Sequence, residues 1–136
     1  MAIVYVNIGS NLGNRESLIA EAIEAIGEKF GYYCLSGCVE SEPWGFESTN
    51  RFHNIGMAFK SNLEPEEVLR ILQSIEKEIS NISHRNENGG YKDREIDIDI
   101  MAIDNIKYHS PVLTLPHPHL QERYFFRQTF EELKVR

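Results

Sequence analysis

Residues 94–103 read R-E-I-D-I-D-I-M-A-I, and the strict alternation from Glu95 to Ile100 constrains the fold more than any other stretch of the chain. Successive side chains of a strand point to opposite faces of its sheet. Ile96, Ile98 and Ile100 therefore make one apolar face, while Glu95, Asp97 and Asp99 share the other. A strand over 95–103 with one buried face needs a layer of helices on the isoleucine side. The acid row alone has two readings. It is a solvated strand face, or it is a cation site built from Asp97 and Asp99, which a strand holds about 6.5–7 Å apart. Mg²⁺ is typically bound by one or two carboxylates together with water and phosphate oxygens. Arg94 adds a planar fork that suits phosphate.

The rest of the chain supplies the missing layers. A-I-V-Y-V-N-I (2–8) is β-branched and aromatic and predicts a strand. The turn residues G-S-N-L-G-N-R then lead into a helix whose apolar positions Leu18, Ala22, Ile23, Ala25 and Ile26 recur until Gly31 stops it. Further strands are predicted over Tyr32–Val39 and near Phe52–Lys60, separated by the turn-rich S-E-P-W-G-F-E-S-T-N. Ser61 or Asn62 is expected to cap the next helix, with Pro65 in its first turn and Val68, Leu69, Ile71, Leu72, Ile75 and Ile79 as its stripe. The polar run 80–94 reads as a long loop. After the acidic strand, a turn at Asp104–Asn105 predicts a short hairpin to Lys107–Tyr108, and the tail ends in a short helical piece. The order β-α-β-β-α-β predicts an α+β, ferredoxin-like sandwich. Its antiparallel sheet carries helices on one face and leaves the other open to a ligand.

At 136 residues the chain is expected to form a single domain (1–136), and its net charge of -7 argues against tracking a nucleic-acid backbone. Cys34 and Cys38 make neither a disulfide framework nor a zinc pattern, so they read as reduced thiols. The N-terminus has neither a charged leader nor a long apolar segment. The expectation is a cytoplasmic protein, monomeric and free of membrane and nucleic acid.

In P-H-P-H-L-Q-E-R (116–123), two prolines stiffen the backbone around His117, which reads as a placed donor, while His119 reads as a loop histidine. Arg123 follows His119 at the helical four-residue offset. Trp44, Gly45 and Phe46, followed by R-F-H-N-I, combine rings with the amide of Asn54, a mixture that suits a flat heteroaromatic ligand. G-S-N-L-G is neither a P-loop nor G-x-G-x-x-G, so a nucleotide would be held by other means.

Taken in order, Y-V-N-I-G-S-N-L-G, S-E-P-W-G-F, R-F-H-N, L-E-P-E-E-V-L-R-I-L-Q-S-I-E, D-R-E-I-D-I-D-I and L-P-H-P-H-L-Q-E-R-Y-F resemble the 6-hydroxymethyl-7,8-dihydropterin pyrophosphokinases of folate biosynthesis along nearly the whole chain. The resemblance implies a transfer of pyrophosphate from ATP to the pterin hydroxymethyl group, with release of AMP. It implies that Asp97 and Asp99 hold a pair of Mg²⁺ ions, with Arg94 and Arg85 completing the catalytic group. ATP would meet Arg94, Ile98, Thr114, His117 and Arg123. The pterin would meet Ser41, Glu42, Pro43, Trp44, Phe52, Asn54, Tyr91 and Phe125. Asn81 stands where the family has the first of its loop arginines, with Arg85 or Lys92 as substitutes, and the tail after Phe125 is short. Those departures define the competing expectation, a catalytically weakened relative that binds pterin or nucleotide.

Overall fold

The computed structural model describes residues 1–11, 14–42, 51–83 and 96–135, with 81–83 described by their backbone alone. The order is β1 (Ala2–Ser10), α1 (Arg15–Phe30), β2 (Tyr33–Ser41), β3 (Phe52–Ser61), α2 (Pro65–Ser83), β4 (Asp97–Ile103), β5 (Tyr108–His109), β6 (Thr114–Leu115) and α3 (Tyr124–Lys134). β2, β3, β1 and β4 form one sheet in that spatial order, and every pairing is antiparallel. This is the predicted ferredoxin-like α+β arrangement.

Local chemistry sets the helix ends. The Asn14 side chain accepts the Ser17 N–H at 3.1 Å and opens α1. Gly31, at φ 88°, closes it in a conformation that a side chain would strain. The cap of α2 differs from expectation. Pro65 is its first residue, so Glu64 takes the capping position, and Glu67 reaches back to accept the Glu64 N–H at 3.1 Å. Ser61 instead accepts the Leu63 N–H at 3.0 Å, turning the chain before the helix begins.

α1 and α2 pack on one side of the sheet. Leu18, Ala22 and Ile26 of α1 and Val68, Leu72 and Ile75 of α2 close over Val4, Val6 and Ile8 of β1 and over Ile96, Ile98 and Ile100. Each such valine, leucine or isoleucine contributes about 1.5–3 kcal/mol by leaving water. The isoleucine parity of the acidic strand therefore faces the helices, as the alternation predicts.

The opposite face departs from the expected open surface. α3 lies across β1, β2 and β3, burying Phe125, Phe126 and Leu133 with Tyr5, Ala58, Met101 and Ala102 in a second apolar cluster. The approach depends on Gly56, where a Cβ would come within 2.8 Å of Thr129 Cβ and 2.9 Å of Leu133 Cδ1. The tail is thus an 11-residue structural helix rather than a short terminal piece. A register shift against Tyr5 and Val6 inserts Met101 as an extra residue in β4. That bulge turns Met101 and Ala102 together toward α3. The hairpin is also corrected: β5 pairs with β6, Tyr108 opposite Leu115 and His109 opposite Thr114, and not with the acidic strand. The described part of that strand starts at Asp97, Glu95 lying outside the described residues.

Candidate active site

Strand register gathers the polar residues of the α3 side into rows. Gly9 of β1 stands between Asn54 of β3 and Asp97 of β4, and Asn7 stands between Gly56 and Asp99. With neighbouring strands about 4.8 Å apart, Asn54 and Asp97 lie roughly 10 Å apart across a glycine floor. A Cβ on Gly9 would meet Asn54 Oδ1 at 3.0 Å and Phe52 Cδ1 at 3.4 Å. The glycine keeps both side chains in place and the space between the two ends clear.

At the β4 end, burial raises the pKa of the Asp99 carboxyl well above the ordinary carboxylate range. The negative charge of Asp97, which shares a hydrogen bond with Asp99, and that of Glu76 push it further in the same direction, while Arg123 opposes them. Glu76 reaches from α2 to accept the Ile98 N–H on the outer edge of β4. Among the described residues no group of three or more His, Cys, Asp or Glu is arranged to hold a metal. Paired hard oxygens that repel each other fit Mg²⁺, whose remaining ligands come from water and substrate phosphate. Such a cation would allow both carboxylates to ionise.

The segment before α3 carries the positive and neutral donors. The His117 N–H donates to the Met101 carbonyl at the bulge, 2.8 Å away, so the irregularity of β4 anchors this segment. His117 Nδ1 accepts the His119 N–H at 3.0 Å, which leaves the ring proton on Nε2. Burial, and then the charges of Arg123 and His119, lower the His117 pKa to about 4. His117 is therefore a neutral N–H donor at physiological pH. Phe126 serves as a platform for both groups: the His117 ring meets it edge-on at 4.9 Å, and the Arg123 guanidinium lies 4.9 Å from its centroid. His119 turns to Glu122 at 3.1 Å, and Thr114 Oγ1 lies 2.9 Å from His109 Nδ1.

At the β2–β3 end, Asn54 Nδ2 donates to the Val39 carbonyl at 3.0 Å and to Ser41 Oγ at 2.8 Å. Its Oδ1 accepts from Asn7 Nδ2 at 3.1 Å. Phe52 lies on the same strand, and Phe125 of α3 packs edge-on to Phe126 at 5.0 Å. Glu42 lies at its exposed margin, 3.4 Å from Arg51.

Of the residues expected at the site, the structure brings Asp97, Asp99, His117 and Arg123 to one end of the row and Ser41, Phe52 and Asn54 to the other. The Ile98 side chain is buried in the helix-side core and its N–H donates to Glu76, so the face it turns to the acids' side of β4 is backbone alone. Pro43, Trp44, Arg85, Tyr91 and Arg94 lie outside the described residues, as do Lys92 and the side chain of Asn81. Glu76, Asn7, Phe126 and Thr129 join these residues without a sequence expectation. Only Asn7 carries a local signal, as the single amide within the apolar strand V-Y-V-N-I.

A family model described as 7,8-dihydro-6-hydroxymethylpterin-pyrophosphokinase (HPPK) matches residues 5–135. A 2-amino-4-hydroxy-6-hydroxymethyldihydropteridine pyrophosphokinase of Porphyromonas gingivalis is 44% identical over 135 residues, 98% of this chain and 91% of its own. The enzyme of the same name from Aquifex aeolicus is 39% identical, across 93% of this chain and 76% of its own. Among solved structures, an HPPK-DHPS in complex with substrates superposes with a TM-score of 0.68 at 14% identity, covering 97% of this chain. This chain spans 40% of that longer one, and the likeness there is one of fold. The match over residues 5–135 and the 44% identity establish that the chain belongs to the HPPK family.

Proposed function

We propose that this protein transfers pyrophosphate from ATP to the hydroxymethyl oxygen of 6-hydroxymethyl-7,8-dihydropterin, releasing AMP. The observation that carries the reading is the single cross-strand row Asn54–Gly9–Asp97, with a ring-and-amide pocket at one end and a carboxylate pair facing Arg123 at the other. A flat heterocycle held at the first end would place a short substituent toward phosphates held at the second.

In this reading Phe52 and Phe125 sandwich the pterin, and Asn54, with Ser41 beside it, reads its hydrogen-bonding edge. Glu42, Pro43, Trp44 and Tyr91 belong to the same pocket. Arg123 and the neutral N–H of His117 bind phosphate oxygens, with Thr114 on the nucleotide side and Arg85 and Arg94 supplying further positive charge. Asp97 and Asp99 would hold a pair of Mg²⁺ ions, which when bound supply electrostatic stabilisation of charge on the transferring group. The hydroxymethyl oxygen bonds to the β-phosphorus and its proton passes to solvent, the bond from that phosphorus to the α,β-bridging oxygen breaks, and AMP leaves with that oxygen. The residues contribute alignment and a fixed field rather than covalent catalysis.

No helix among the described residues is long and apolar enough to cross a membrane, and Cys34 and Cys38 are free thiols. The free thiols fit a reducing compartment, and in this reading the enzyme is a cytoplasmic monomer. The test is AMP formation from ATP with Mg²⁺, with and without the hydroxymethyl pterin. Pterin-dependent AMP is the expected result. Ligand binding by calorimetry without any turnover would replace the enzyme with a binding relative.

A further inference from the structure

Asn54, Asn7 and Thr129 come from β3, β1 and α3, and they form a buried polar chain beneath the proposed pterin pocket. Its direction is determined at one end. The Val39 carbonyl has lone pairs and no proton, so Asn54 Nδ2 must face it. The second hydrogen of that nitrogen goes to Ser41 Oγ. Asn54 Oδ1 is thereby turned to Asn7, whose Nδ2 donates to it, and Asn7 Oδ1 is turned in its place to Thr129.

Thr129 Oγ1 lies 3.3 Å from Asn7 Oδ1, 3.0 Å from the Phe125 carbonyl and 3.2 Å from the Phe126 carbonyl. A hydroxyl has one proton, and a helical threonine often spends it on the carbonyl four residues back. If Thr129 did so, it would present only lone pairs to the Asn7 oxygen. That contact would be oxygen against oxygen in a site where Asn7 is 2% exposed and Thr129 fully buried. Reversing Asn7 to relieve it would set its oxygen against Asn54 Oδ1 instead. The side chain that meets this need can reach it because Gly56 lets α3 approach the sheet.

We propose that Asn7 and Thr129 are positioning residues for pterin recognition. They hold the Asn54 amide in the one orientation in which the protein consumes both its hydrogens. Among the described residues, an Oδ1 lone pair is what remains for a ligand, so the site selects a heterocycle edge that presents an N–H. This rests on the assignment of Asn54 to the pterin pocket.

The test is steady-state kinetics with both substrates varied, beside thermal unfolding, for Asn7→Ala, Thr129→Val, Thr129→Ser and Asn54→Ala. Thr129→Val is nearly isosteric, so it keeps the question open if Asn7→Ala fails to fold. Asn7→Ala and Thr129→Val are each expected to raise the pterin KM about tenfold, with kcat and the ATP KM held within about twofold. Thr129→Ser restores the pterin KM. A uniform loss in kcat and both KM values, or an unchanged pterin KM in Thr129→Val, overturns the proposal. If Asn54→Ala raises the pterin KM and Thr129→Val does not, the positioning role alone fails. If Asn54→Ala leaves the pterin KM unchanged, the pocket assignment fails and takes the proposal with it.

Discussion

At the β4 end of the site, Asp99 sits half-buried beside Asp97 with Glu76 nearby, and its pKa is raised first by desolvation and then by those like charges. At the β2–β3 end, Asn54 is fully enclosed, and each contact it makes joins a donor to an acceptor. The two ends lie on one row of one sheet and answer different demands. A cation and phosphates arrive with charge, so the protein keeps a matching field of opposite sign in waiting. A neutral heterocycle is told from its relatives by hydrogen-bond direction, so there the protein must be ordered beforehand. The first end stores unfavourable energy until its ligands bind, and the second stores none.

The largest test of that contrast is Asp99→Asn. Turnover is expected to fall at least about a thousandfold, since a metal-binding oxygen charge is lost. Stability should move the other way. The folded pKa of Asp99 lies above its unfolded value, so between the two the folded state binds more protons and stability falls as pH rises. Removing the charge relieves this at neutral pH. Tm should rise by about 4 °C for each kcal/mol relieved, and Mg²⁺ with an ATP analogue should narrow the gap to the wild type. A Tm that falls in Asp99→Asn without Mg²⁺ would break the contrast.

Gly9→Ala tests the other end. The added Cβ must push against Asn54 Oδ1 and Phe52, a cost of about 1–3 kcal/mol by overpacking. Stability and pterin affinity should therefore fall together, the affinity by roughly tenfold or more. The Kd for a Mg²⁺–ATP analogue should change less. Equal losses for both ligands would mean that the glycine floor is not confined to the pterin end.

The same contrast explains what could be read from the sequence. Asp97 and Asp99 were legible because strand parity is a local rule, and a row of acids beside isoleucines breaks composition visibly. The helix stripes and the sheet order followed from similar short-range periodicity. The amide network was not legible. Asn7 and Thr129 stand 122 positions apart, and nothing local to either announces the other. The covered face was missed for a related reason. Phe125, Phe126 and Leu133 do recur at helical spacing, but their partners Tyr5, Ala58, Met101 and Ala102 come from three strands and a bulge.

His117 sharpens the account of the charged end, because its ring is a donor that stays neutral beside the Arg123 guanidinium. Its folded pKa of about 4 lies below the ordinary histidine value. Between pH 4 and 6.5 the unfolded chain binds the extra proton, so stability rises with pH across that window and is fully present above it. In His117→Gln this part of the denaturation profile should flatten. Glutamine keeps an N–H donor, so kcat/KM should fall less than about tenfold, against about a hundredfold for His117→Ala. Equal losses in the two variants would show that charge, rather than a neutral N–H, is what the phosphates meet.

Phe126→Leu carries the smallest expected effect and separates field from scaffold. The ring is fully buried and supports both His117 and the Arg123 guanidinium from the α3 side. Leucine retains most of the apolar volume, so the fold should lose only about 1 kcal/mol. It cannot retain the cation–π contact or the edge-on histidine contact, each worth about 0.5–1.5 kcal/mol. The ATP KM should rise about threefold while the pterin KM stays level, because Phe125, the ring assigned to the pterin, is unchanged. A pterin KM that rises in step would show that the edge-on pair Phe125–Phe126 couples the two ends, and that they are less separate in energy than in chemistry.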